Sequence, residues 1–406
     1  MDILLAHNFY QRPGGEDQCM AAEAAMLRRH GHNVVEYCLH NDAIEEMSRP
    51  RAAARTIWSS AAYRELRRLL QQQRPQIAHF HNIFPLISPA AYYACRGEGV
   101  PVVQTVHNFR LLCANALLFR DGAVCEDCLG KLVAWPALLH KCYRGNRAAS
   151  GAAVAMLAAH RAIGTWRHAV ARYIAPTEFV RRTLVRGGLP AHKVVVKPHF
   201  TAGDLPPGGG RGGYALFAGR LTAEKGVETL LEAWRRLGGG FALKIAGDGP
   251  LAPLARQAAA RDPAIECLGW QAGERVRALM AEAAFVVVPS RTYETFGLVV
   301  IEAYAAGTPV LAAASGALAE LVEEGRTGWH FKPADAGQLA DKLRQILADP
   351  AATAAMRPAA RREFALKYAE EPNYAALMAI YAQAAGRYSA AVGTARLKGA
   401  AGATMP

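Results

Sequence analysis

Along this chain, short apolar runs alternate with longer segments of helical period. Asp2–His7 is apolar and too short to stand as a helix, so it predicts a buried strand. A loop, Asn8–Glu16, leads into a helix over about Asp17–His30. Asn33–Cys38, Ile77–Phe80, Val102–Val106, Tyr173–Ala175 and Lys193–Val196 predict further strands, and Arg51–Arg74 a long helix. Strands separated by helical segments imply a parallel sheet.

The stretch TAGDLPPGGGRGG, residues 201–213, holds six glycines and two prolines. It cannot sustain a helix or strand and reads as an interdomain hinge. The pattern then restarts: strand Tyr214–Ala218, a helix from Gly226 to Leu237, and strands Phe241–Ala246, Glu266–Leu268, Phe285–Pro289 and Pro309–Ala312. Residues 336–388 read as mostly helical, and the Ala/Gly-rich tail 389–406 as disordered. The fold class is therefore α/β, with two Rossmann-like domains, 1–200 and 214–388, whose parallel sheets face a shared cleft. Ligands of such sheets bind beyond the carboxyl ends of the strands.

With 52% hydrophobic and 20% charged residues, the chain can build real cores and is too apolar for disorder. No run reaches membrane-spanning length, and the N-terminal residues read as a strand rather than a leader, so a cytoplasmic location is expected. The eight cysteines are then expected to be reduced. Charge changes the picture more. Residues 1–200 carry 25 Lys/Arg against 14 Asp/Glu, a net of +11, while residues 201–406 carry 22 against 20, a net of +2. The first half favours an anionic partner: a lipid diphosphate, a membrane surface or nucleic acid.

Candidate chemistry gathers at predicted strand ends in the second half. Glu294-Thr295-Phe296-Gly297-Leu298 follows the strand Phe285–Pro289 and opens a helix that carries Glu302. Free amides at that helix start suit a phosphate, and a carboxylate further along can accept ribose hydroxyls. A helix with acids near its N-terminus for dipole reasons would look the same. Gly219, Arg220 and Lys225, in FAGRLTAEKG, follow strand Tyr214–Ala218, and two cations so spaced can clamp a diphosphate. IAGDGP, at Ile245–Pro250, adds a third strand-end turn.

These three elements, in this order, resemble the retaining glycosyltransferases of family 4 (group 1), which have the GT-B fold. The likeness is best over Tyr214–Pro333. It implies that Arg220 and Lys225 bind the donor diphosphate and that Glu302 binds the ribose. It implies that Glu294 and the amides through Leu298 hold the sugar and phosphate, and that Leu268–Trp270 flanks the base. The donor would be a UDP- or GDP-sugar bound by 214–388, and the acceptor a glycan or lipid-linked glycan on the side of 1–200. The last helices would return to the first domain. No cofactor is implied, and the lack of an Asp-x-Asp run predicts a metal-independent reaction. A role in cell-surface polysaccharide synthesis, with peripheral binding to the cytoplasmic membrane face, is the associated expectation.

In the first half, Gly14 and Gly15 precede a helix where backbone amides can approach a phosphate. The family has a similar glycine pair, although a plain tight turn would explain it as well. Glu16 and Asp17 read as N-capping residues. His107 ends strand Val102–Val106 and resembles a family histidine near the sugar; together with Arg220, Lys225 and Glu294 it forms the expected catalytic set. His81, in HFHN, is a second histidine at a strand end.

An insert, residues 108–147, holds Cys113, Cys125, Cys128 and Cys142. One Cys-x2-Cys pair permits a structural zinc but does not establish it, and no metal is assigned. The insert also mixes Trp135, Leu138 and Leu139 with Lys131, Lys141, Arg144 and Arg147, a composition suited to a membrane interface or to an ordinary solvated face. Two other functions remain open at this level: a sugar-nucleotide 2-epimerase on the same fold, and a basic nucleic-acid-binding protein with a zinc knuckle.

Overall fold

The computed structural model describes residues 1–11, 14–201 and 207–401, with side chains through 386. The first domain contains strands β1 (Asp2–Phe9), β2 (Asn33–His40), β3 (Ile77–Phe80) and β4 (Val102–Thr105). A short hairpin, β5 (Phe119–Arg120) and β6 (Ala123–Val124), lies in the insert, followed by β7 (Arg172–Ala175) and β8 (Val194–Val196). The second domain adds β9 (Tyr214–Ala218), β10 (Ala242–Ala246), β11 (Ile265–Gly269), β12 (Phe285–Val288), β13 (Val310–Ala313) and β14 (Gly328–Phe331).

Each domain has one six-stranded sheet, ordered β2-β1-β3-β4-β7-β8 and β11-β10-β9-β12-β13-β14. All pairings within them are parallel. The order reverses between β1 and β3 in the first sheet and between β9 and β12 in the second. Those switch points are where strand-end loops diverge and leave a crevice. Strands such as β3, β4, β12 and β13 are buried along their whole length, which is why they read as continuous apolar runs.

Local chemistry sets the element ends. Asp17 accepts the Gly14 N–H at 2.7 Å and opens helix Gly15–Arg29, with acids in its first turn and Arg28 and Arg29 in its last. The long helix expected over Arg51–Arg74 is instead two, Arg49–Ile57 and Ser60–Gln73. Trp58 is extended, and the Ser59 side chain caps the second helix by accepting from the Ala62 N–H. The cap competes with helix continuation.

Of the hinge, residues 202–206 lie outside the described residues, and 207–213 form no helix or strand. Gly208, Gly210 and Gly212 donate to Ala306, Ala281 and Glu282, which ties that part to the second domain. The last helix, Glu370–Ala401, packs Leu377, Ile380, Tyr381 and Ala384 against Ile3, Leu5 and Met20 of the first domain. It reaches into the stretch 389–406 expected to be disordered. Alanine, the strongest helix former, is frequent there, and residues 402–406 are outside the described set.

Candidate active site

The two switch points face each other. Lys225, from the turn after β9, places Nζ 2.6 Å from Oε1 of Glu294, in the loop after β12. Ser290 donates to the same oxygen at 2.6 Å. Burial alone would raise the Glu294 carboxyl, but Lys225, Ser290 and Arg220 outweigh it and hold it below its usual range. Arg220 is exposed, and among the described residues its guanidinium makes no hydrogen bond. An uncommitted cation thus sits beside an anchored one.

Gly297, at φ +107, caps helix Leu298–Ala305, and a side chain there would be strained. The amides of Leu298 and Val299 begin the helix. Glu302 is partly buried, and burial raises its carboxyl despite Arg277. Across the gap, a Cβ on Gly15 would stand 3.0 Å from Cδ1 of Leu298, so the first-domain glycine pair lies against this helix start. Trp270, at the end of Leu268–Trp270, is 75% exposed and free to stack on a ligand.

His107, just beyond β4, bonds through Nε2 to Nδ1 of His81 at 2.9 Å and stacks on His199 at 4.9 Å between centroids. Burial first, then the neighbouring His199 and His81, holds it well below its ordinary value, so the imidazole is neutral. Its carbonyl accepts from Thr295 Oγ1 at 2.7 Å. Thr177 Oγ1 donates to the Thr295 carbonyl at 3.2 Å, and Glu320 accepts the Glu178 and Phe179 amides at 2.9 and 2.8 Å. The domains are closed on each other here. Beside His107, a small recess of about 40 Å³ within the first domain is lined by Asn108, Arg110, Phe84, Met156 and Trp166.

Contacts bring together Lys225, Arg220 and Glu294 within the second domain, and Gly15 with Leu298 and His107 with Thr295 across the gap. Gly14, Gly219, Phe296 and Gly297 adjoin them in the chain, and Glu302 lies one turn along the same helix as Leu298. Two features escaped sequence reasoning. Glu16, expected only to cap, instead accepts from Asn108 Nδ2 at 3.1 Å, and burial raises its carboxyl. Below the cleft, buried Glu23 lies 2.9 Å from His79 Nδ1, 3.4 Å from His81 Nε2 and 3.4 Å from Lys197 Nζ. The paired histidines of HFHN, alternate residues on one strand face, were the available signal.

Two groups of side chains bring three metal-ligand atoms within 4.8 Å of one another among the described residues: Glu23, His79 and His81, and Cys19, His107 and His199. Lys197 already neutralises Glu23, and both His79 nitrogens are engaged, by Tyr381 and Thr105 at 2.7 Å each. Burial, then Glu23, pushes the Cys19 thiol well up, against the thiolate a metal would need. Cys113, Cys125, Cys128 and Cys142 form no disulfide and are not one of these groups. Cys113 and Cys128 are buried in one apolar cluster with Cys142 packed against it.

Residues 13–201 match the Glycosyltransferase Family 4 description, and residues 210–363 match Glycosyl transferases group 1. Together these spans take in most of the chain, which belongs to the family 4, group 1 glycosyltransferases and has the GT-B fold. Sucrose-phosphate synthase from Thermosynechococcus elongatus superimposes with a TM-score of 0.70 at 18% identity, over 94% of this chain and 98% of that one. Anabaena Alr3699/HepE in complex with UDP and glucose gives 0.65 at 17% identity, over 96% and 100%. A glycogen synthase of Mycobacterium tuberculosis is 38% identical over 153 residues, 36% of this chain. The match spans only 37% of that relative's length.

Proposed function

We propose that this chain transfers a sugar, with retention of configuration, from a nucleoside-diphosphate sugar to a glycan or lipid-linked glycan, in cell-surface polysaccharide synthesis at the cytoplasmic face of the membrane. The observation that carries the reading is the meeting of the Lys225–Glu294 pair, exposed Arg220 and the Leu298 helix start opposite His107. UDP is the favoured nucleotide because HepE is a structural neighbour in complex with UDP and glucose.

In this reading the diphosphate is the leaving group. Arg220, Lys225 and the amides of Leu298 and Val299 stabilise the charge that develops on it, usually the largest single catalytic contribution. Glu302 takes the ribose hydroxyls. Glu294, anchored by Lys225 and Ser290, orients sugar hydroxyls, while neutral His107 hydrogen-bonds the sugar or positions the acceptor. With no covalent nucleophile assigned, the acceptor attacks from the leaving-group face through an oxocarbenium-like state. Cationic side chains meet the diphosphate's charge, so no metal is required.

The test is binding and transfer with a panel of UDP-, GDP-, ADP- and dTDP-sugars. One donor should raise Tm for the parent chain and not for Arg220→Ala, and transfer should survive EDTA. Failure of every donor to bind overturns the reading; conversion of donor sugar without acceptor would favour epimerisation.

A further inference from the structure

The insert carries an apolar surface that the donor site does not use. Leu132, Val133, Trp135 and Leu139 are 60%, 43%, 53% and 61% exposed within eight residues. Isolated exposed apolar residues are ordinary, but four together on one loop and the short helix Pro136–Leu139 that ends it are not. The loop is held rather than loose: Arg161 donates to the Lys131 and Leu132 carbonyls and, through Nη2, to Leu111 and Leu112 at 3.0 and 3.2 Å. Ile163, 58% exposed, is the C-cap of the helix that supplies Arg161. That helix packs against Arg49–Ile57, which leads to Trp58, 41% exposed.

Basic residues outnumber acids around this surface, and the acids at its edge are paired, Asp127 with Arg120 at 2.9 Å and Glu126 with Arg186 at 2.6 Å. Residues 129–177 contain seven Lys/Arg and no Asp or Glu, and Arg49–Ile57 adds three arginines and no acid. Lys131, Lys141, Arg144 and Arg147 are exposed. A second copy of the chain would bring these cations face to face. Nucleic acid would match the charge and leave the leucines, valine and tryptophan wet. A bilayer with anionic headgroups satisfies both: Trp and aliphatic tips enter the acyl boundary while lysine and arginine stay among phosphates. Among the described residues no helix is long and apolar enough to cross a membrane.

We propose that Leu132, Val133, Trp135 and Leu139, rimmed by Lys131, Lys141 and Arg144, dock the first domain on an anionic lipid bilayer. The recess beside His107 is lined by Met156 and Trp166, which lie on and just after helix Arg147–Ala162, the helix that anchors this loop. A lipid-borne acceptor held in the bilayer would thereby reach the cleft from its membrane side. This purpose rests on the transferase reading, whereas docking itself does not.

The test is flotation of the full chain with phosphatidylcholine vesicles and with vesicles containing phosphatidylglycerol, alongside the donor thermal shift. The parent chain should float with the anionic vesicles, and less at high salt. Trp135→Glu with Leu139→Glu, and separately Lys131→Glu with Lys141→Glu, should each weaken partitioning by about tenfold or more while leaving the donor-induced Tm shift unchanged. Equal flotation of parent and variants overturns the proposal, as does no flotation of the parent. A parent dimer that the Trp135→Glu pair converts to monomer, without vesicle binding by either, assigns the surface to self-association and also overturns it. Absence of a donor shift with intact vesicle binding would instead sink the transferase reading alone.

Discussion

At Lys225, one ammonium both neutralises Glu294 and faces the gap where a diphosphate would lie. Lys225→Ala should therefore lower kcat/KM by about 10²–10³, the size seen when one preorganised charge-stabilising donor is lost. Lys225→Arg should recover only part of it, because a planar fork does not replace a point charge. Steady-state kinetics on both variants checks this. The histidines make a second prediction. His81 is pushed from 6.5 down to about 4, first by burial and then by His79. The native state refuses a proton that the unfolded chain accepts below pH 6.5. This stability is complete above that pH and is lost as pH falls toward 4. The lowered Glu23 and Glu294 carboxyls act in the same direction in acid. Tm should fall from pH 7 to pH 4.5, with His81 alone accounting for up to about 3 kcal/mol by pH 4. A Tm flat over that range would contradict the neutral histidine stack.

Among the elements, the last helix supplies core to the domain it is not sequentially part of. Leu377 is fully buried among first-domain side chains, and Leu377→Ala should cost about 2–5 kcal/mol, readable by denaturant unfolding. The strands and the donor-side turns were legible because each is a local pattern: an apolar run, a glycine, then a charged residue at fixed spacing. Gly219, Arg220, Lys225 and Glu294 all belong to that kind of signal. The helix break at Trp58 was not legible, since Ser59 only caps once the backbone turns. Nor was the Glu23–Lys197 pair, whose members are 174 residues apart and meet only through the sheet order. Glu16 shows the limit within a single turn. Both it and Asp17 suit a helix start, but Asp17 takes the capping role and Glu16 turns to Asn108.

For the molecule as a whole, the closed arrangement is held by cross-domain hydrogen bonds together with the packing of Tyr293 on Phe179 and Phe296 on His199. Glu320 accepts two amides at the start of helix Glu178–Arg186, and Thr295 reaches the His107 carbonyl. Glu320→Ala removes a charged acceptor from that set. It should raise the donor KM by about tenfold through a less populated closed state, with little change in Tm. Small-angle scattering should show a larger radius of gyration without donor, reversed at saturating donor.

Among the described residues, the chain leaves the first domain at residues 198–201 and returns to it where Tyr368 leads into helix Glu370–Ala401. The two passages are pinned to each other: the Thr201 N–H donates to the Tyr368 carbonyl at 3.4 Å, and Asn373 Nδ2 to the Pro198 carbonyl at 2.6 Å. A body tethered along one line can swing about that line but cannot twist or slide freely. A swing of that kind would return Arg220 and the Leu298 helix start to the same register against His107. Cutting the chain after Lys367 would leave a single tether and free the other rotations, so mis-registered encounters would multiply although every donor-site side chain remained in place.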